Sequence, residues 1–310
     1  MKKFFLYATI LVVLLVVADY GVGRLFVGLD KILFSYPIDY HNSYEKTMGG
    51  GNSEDMIIIG HSRARHHYIP VQIQDSLGIS VVNAAKDGTG FLTQAILING
   101  MVKNKAPKYI VWETRPEIFH KASAREIDRL TDLFPFYDTD SLSRRYVQMR
   151  SPYEKYKMLS YAYRNNGRLW GQLEMLLKGK SDNGRKGFAP AKASMKHPEL
   201  KNYDYEDAYD PTREVLFVEV ATNVQKAGTK LIMAISPQYE TSNAYELYET
   251  KRFFAVADSL GVPVLDFFYH PDFLRDSTLF KDHTHMNMEG VEHYMDIFIP
   301  ELKSTISHVQ

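Results

Sequence analysis

Cysteine is absent from this 310-residue chain. Its absence excludes disulfides, thiolate metal sites, a cysteine nucleophile and a lipidated N-terminal cysteine. A net charge is missing as well. Lys+Arg and Asp+Glu stand at 37 each, so no overall field draws the protein to nucleic acid or other polyanions. The chain also lacks internal repeats. Its hydrophobic share of 45% and charged share of 24% are those of a globular protein. The length allows one large domain or two small ones, with a substantial core. Tyrosine, by contrast, is plentiful at 21 residues. A flat ring with a polar tip suits contact with sugars as well as core packing.

The N-terminus bears on location. Lys2 and Lys3 precede an apolar run from Phe4 to Ala18. A helix over that run spans about 22 Å, short of the roughly 30 Å hydrocarbon core. It reads as a tilted membrane anchor, as a signal segment cut after Ala18, or as a buried helix of a soluble protein. Asp19 directly after the cut, with apolar residues resuming through Leu29, favours the anchor. Positive charge before the run puts the body on the periplasmic or extracytoplasmic side in the first two cases. Residues 1–30 are therefore expected to be an anchor or signal segment of an exported protein. Residues 31–54 follow as a linker, because "YHNSYEKTMGGGNSED" is polar and holds three consecutive glycines.

From residue 55 the pattern changes to short β-branched runs, at 55–60, 79–84, 109–113, 230–236 and 262–268. Such runs suit strands buried on both faces. Helical patterns alternate with them, at 64–76, 89–104, 212–227, 241–259 and 288–304. The alternation predicts an α/β fold: a three-layer α/β/α sandwich with a mostly parallel sheet over 55–310. Ligands of such folds bind at the carboxyl ends of the strands. Residues 116–210 show no clear strand and read as a helical insertion lying over the site. Its tail, 178–201, holds seven Lys/Arg against two acids. That tail reads as a solvated loop or as a surface for a charged or carbohydrate polymer.

Three stretches carry chemistry. In "IIIGHSRARHH" (57–67), Ser62 follows a strand and a glycine, a place that suits a helix N-cap or a nucleophile. In "VVNAAKDGTG" (81–90), Gly88 lets a backbone N–H approach a ligand closely. In "FKDHTHMNMEGVEHY" (280–294), Asp282 and His285 stand three apart. The carboxylate can hold Nδ1–H of the imidazole and leave Nε2 to face a hydroxyl. A plain polar turn before a helix capped by Asn287 is the simpler reading of that segment. A metal site on His283 and His285 lacks obvious further ligands. Arg63 and Arg65 read as solvated residues of the first helical turn, near the mouth of any site at Ser62.

Together these stretches resemble the SGNH (GDSL-type) hydrolases. The Gly-Asp-Ser block is matched by Gly60-His61-Ser62, the Asn-to-Gly block by Asn83 to Gly88, and D-x-x-H by Asp282 to His285. "HMNMEG" resembles the usual continuation. The resemblance covers most of residues 55–305 and implies a flavodoxin-like SGNH fold. It makes Ser62 the nucleophile, His285 the base and Asp282 its orienter. Gly88 and Asn83 would belong to the oxyanion and substrate site. The third block departs, with "VWETRPE" where the family has Gly-x-Asn-Asp. Thr114 or Arg115 would substitute for its Asn. The expected function is an exported serine esterase or acyltransferase. Its substrates would be small, acetyl-like esters of cell-envelope or dietary carbohydrate. No cofactor and no nucleic-acid partner are expected, and the membrane is met through the N-terminal helix. The alternative is a catalytically silent relative that binds or scaffolds an envelope polysaccharide assembly.

Overall fold

β-Branched runs become strands where both faces are covered. The strands are β1 (Met56–Ile59), β2 (Val81–Asn83), β3 (Tyr109–Glu113), β4 (Asn202–Tyr203), β5 (Lys230–Ile235), β6 (Thr241–Ser242) and β7 (Val264–Asp266). Five of them form one sheet in the order β2-β1-β3-β5-β7, every pairing parallel. The computed structural model describes residues 1–39, 41–180, 184–191, 193–196, 199–200, 202–239 and 241–307.

Alternate residues of each strand feed two separate cores, as the pleat requires. Ile57 and Ile59 of β1, Ile110 and Trp112 of β3, and Leu231, Met233 and Ile235 of β5 enter one. Met56, Ile58, Val111, Ile232 and Ala234 enter the other. Both cores are closed by helices, so the molecule is a three-layer α/β/α sandwich.

In chain order the helices are α1 (Lys2–Leu33), α2 (Ser43–Met48), α3 (Ser62–His67), α4 (Pro70–Leu77), α5 (Phe91–Lys105), α6 (Ala124–Asp128) and α7 (Ser141–Val147). Then come α8 (Glu154–Lys157), α9 (Tyr161–Asn165), α10 (Leu169–Lys178), α11 (Pro211–Lys226), α12 (Tyr248–Ser259) and α13 (Met288–Ser307). α5, α11 and α12 cover the first core; α4 and α13 cover the second.

Several sequence expectations are corrected. The helix read over 64–76 is two helices, because Pro70 takes the first position of α4 and holds Ile69 extended. The segment read as a linker is not free chain. Tyr44 and Met48 of α2 are buried in the first core, and Asn104 of α5 donates to the Met48 carbonyl at 2.6 Å. They stand four apart, on one helical face, and the surrounding polar residues concealed them. The insertion is a chain of short helices, not one or two long ones; Pro152 and Gly167 fall at two of the breaks. Its basic tail falls partly outside the described residues. Where described, it is not simply solvated, since Phe188 is buried in the second core.

α1 runs unbroken past Ala18 and is long and apolar enough to cross a membrane. At about 1.5 Å per residue the whole helix spans about 48 Å. Phe4–Val17 is largely exposed apolar surface. The later half docks on the insertion instead. The Asp19 carboxylate accepts from Ser160 Oγ at 2.7 Å and from the N–H groups of Tyr161 and Ala162, each at 2.8 Å. Asp30 accepts from Arg168 at 2.7 Å and Gln172 at 2.8 Å.

Candidate active site

The strand order reverses beside β1: the chain leaves it for β2 on one side and returns to β3 on the other. A crevice opens at the carboxyl ends there. Gly60 ends β1 because nothing larger fits. A Cβ would stand 2.6 Å from Ala64 Cβ and 2.8 Å from the Glu113 carbonyl oxygen. His61, not Ser62, is the N-cap of α3: its Nδ1 accepts from the Arg63 N–H at 3.2 Å. Ser62 is the first helical residue, so its own N–H has no intrahelical acceptor.

Ser62 Oγ lies 2.7 Å from His285 Nε2. On the other side of the ring, Nδ1 lies 2.8 and 3.0 Å from the two Asp282 oxygens. Asp282 Oδ1 also accepts the N–H groups of Thr284 and His285, both at 3.0 Å. Partial burial pushes the Asp282 carboxyl up. The hydrogen bonds from His285 and Thr284 outweigh it and hold the carboxyl well below the usual range. A charged Asp282 fixes the proton on Nδ1, and Nε2 is left to accept from the serine hydroxyl.

A buried polar chain holds the His285 loop in place. Met286 N–H donates to His67 Nε2 at 3.0 Å, so His67 carries its hydrogen on Nδ1 and donates to Ser236 Oγ at 2.8 Å. Ser236 in turn donates to Glu113 Oε1 at 2.9 Å, and Tyr68 donates to the other Glu113 oxygen. Arg63 Nε stands 3.2 Å from Glu113. Burial pushes the Glu113 carboxyl up, while Arg63 and the hydrogen bonds pull it down; burial wins. Burial also holds His61 and His67 neutral, with Arg63 adding to the effect.

Gly88 has a left-handed backbone, φ +75, in the loop between β2 and α5. With Ser62, His285 and Arg115 it lines one cavity of about 570 Å³. Among the described residues neither the Ser62 nor the Gly88 N–H has an acceptor. Arg115 is held by Glu117 at 2.5 Å and by Tyr205 at 3.0 Å.

Two expected site residues are elsewhere. Asn83 is a brace: its amide donates to the Ala64 and Tyr68 carbonyls and its oxygen accepts from Ala85 N–H. Thr114 is buried and does not line the cavity; its backbone is engaged by Ala234 and Arg63. Arg63 is not a solvated residue either. It is 1% exposed and binds Thr114 O, Ser236 O and Gln238 Oε1. Arg65 pairs with Asp87 at 2.6 Å. His283 does not converge with His285; its Nε2 bonds the Glu199 carbonyl at 2.7 Å.

The cavity also holds Gln238, Ser123, Arg125 and Glu126, which no motif marked, and His61 of the first block, for which the sequence suggested no role. A guanidinium can only donate, so Arg63 pins the Gln238 oxygen and fixes which end is nitrogen. That nitrogen, and the Nε2–H of His61, have no partner among the described residues. Gln238 follows the carboxyl end of β5, and the strand-end rule alone could have found it. Ser123, Arg125 and Glu126 come from the insertion and gave no signal.

No protein-family model matches this chain, and no curated protein matches it.

Proposed function

We propose that this protein is an exported, membrane-tethered serine esterase or acyltransferase of the SGNH (GDSL) type. It acts on small acyl esters of carbohydrate. One observation carries the reading: Ser62, His285 and Asp282 form an unbroken hydrogen-bonded relay whose Ser62 and His285 line a cavity.

His285 Nε2 takes the Ser62 proton as Oγ bonds to the ester carbonyl carbon, and Asp282 stabilises the imidazolium. The carbonyl oxygen becomes an oxyanion facing the N–H groups of Ser62 and Gly88. A well-placed donor of this kind contributes roughly 3–4 kcal/mol. The C–O bond to the sugar then breaks, and His285 returns the proton to the departing alkoxide. Water, or a second sugar hydroxyl, gives its proton to His285 and attacks the acyl-serine. Ser62 leaves with that proton restored. The cavity is carried on strand ends and the N-terminus of α3, which keeps the reacting groups rigid. Lys2 and Lys3 before the apolar half of α1 support an extracytoplasmic body. The intact relay favours turnover over a silent scaffold.

The test compares wild type with Ser62→Ala for labelling by a fluorophosphonate and for hydrolysis of 4-nitrophenyl acetate. Ser62→Ala should lose both. A variant that keeps either one sinks this mechanism.

A further inference from the structure

The cavity at Ser62 is bordered by arginine. Arg125, on α6, is exposed and lines it. Its Nη2 stands 3.3 Å from the point where a Cβ on Gly88 would lie, and Arg129 Nη2 stands 2.8 Å from the same point. Both guanidinium groups therefore stand beside Gly88. Arg129 is positioned there by a bond to the Asp87 carbonyl at 3.0 Å. Arg63 and Arg115 also line the cavity.

The acids of the lining do not answer this charge. They are Asp87 and Glu126. Asp87 is engaged by Arg65 at 2.6 Å. Glu126 is engaged by Arg213 at 2.9 Å and by the Leu92 N–H at 2.9 Å. Arg63 and Arg115 have their own carboxylates, Glu113 and Glu117. Arg125 has none among the described residues. The chain as a whole is neutral, so this positive charge is local to the cavity.

We propose that the substrate is an acylated glycan bearing a carboxylate or phosphate next to the reacting ester, and that Arg125 binds that anion. Its planar fork matches either group bidentately. The inference rests on the serine-ester reading for the identity of the reacting bond, and the anion site itself has an independent readout.

Two measurements test it. The first compares kcat/KM for O-acetylated polygalacturonate, O-acetylated phosphomannan and neutral O-acetylated xylan, for wild type and Arg125→Gln. The preference for one anionic polymer over xylan should fall about 10- to 100-fold, through KM. Whichever polymer shows the fall identifies the anion. The second is equilibrium binding of the same polymers, without ester, to the Ser62→Ala protein with and without Arg125→Glu. Anionic polymer should bind more tightly than xylan, weaken with added salt, and lose that advantage with Glu at 125. Equal binding of anionic and neutral polymer, or a preference untouched by both Arg125 substitutions, overturns the proposal. Absence of all turnover with this charge preference intact would count against the enzyme reading alone.

Discussion

Ser62 Oγ and His285 Nε2 stand 2.7 Å apart across 223 residues of chain. In the proposed mechanism the pair works only while Asp282 keeps the proton on Nδ1 of His285. Asp282→Asn preserves shape but presents an amide that can hold the wrong tautomer. The expected outcome is a fall in kcat of about 10²- to 10⁴-fold with KM little changed. Steady-state kinetics on 4-nitrophenyl acetate measures it, and an unchanged kcat would remove Asp282 from the mechanism.

Arg63 and Glu113 are a buried ion pair, with side chains 2% and 0% exposed. Removing one partner strands the other charge. Arg63→Met is therefore expected to cost about 3–5 kcal/mol in denaturant unfolding. Arg63→Met with Glu113→Gln should recover part of that, because no lone charge remains and the amide oxygen still accepts from the buried Ser236 and Tyr68 donors. If the double variant is no more stable than the single one, the pair is not coupled as described.

Gly88 combines a positive φ with close approach to Arg129. Gly88→Ala should destabilise by about 1 kcal/mol from backbone conformation alone. It should also displace the N–H proposed to bind the oxyanion and slow fluorophosphonate labelling about 10²-fold or more. Labelling at the wild-type rate would place the oxyanion elsewhere.

His67 is buried and neutral between Ser236 and the Met286 N–H, and it faces Arg63, His61, His66 and His285. Its folded pKa is lowered by burial, so as pH falls the unfolded chain takes up the proton first. This contribution to stability is full above the unfolded value near 6.5 and is lost as pH drops below it. The slope is up to about 1.4 kcal/mol per pH unit. Urea unfolding between pH 5 and 8 should show this slope, and His67→Gln should reduce it by up to one proton. An equal slope in the variant would assign it to another group.

Much of the site was legible because its chemistry sits at strand ends. Ser62 follows β1 and Gly88 follows β2, both places where local sequence and backbone geometry agree. Asp282 and His285 form a local unit, closed by bonds within four residues. Asn287 caps α13 as its sequence suggests, accepting from Gly290 N–H at 3.0 Å. Thr114 and Asn83 were misplaced for one reason: a residue at a strand end can point into the cavity or into the wall behind it, and sequence does not say which. α2 was hidden because two apolar residues among polar ones give too weak a period to distinguish a docked helix from a linker.

The sequence by itself determined the alternation of strands and helices, the apolar N-terminal helix and the residues able to form a serine relay. Those follow from local periodicity and from residue chemistry. Only the tertiary structure decided that His285 Nε2 lies within hydrogen-bond reach of Ser62 Oγ, that Arg63 is buried, and that Arg125 reaches Gly88 from the insertion. Each of these depends on which surfaces pack together, and packing joins residues whose distance along the chain carries no information about their distance in space.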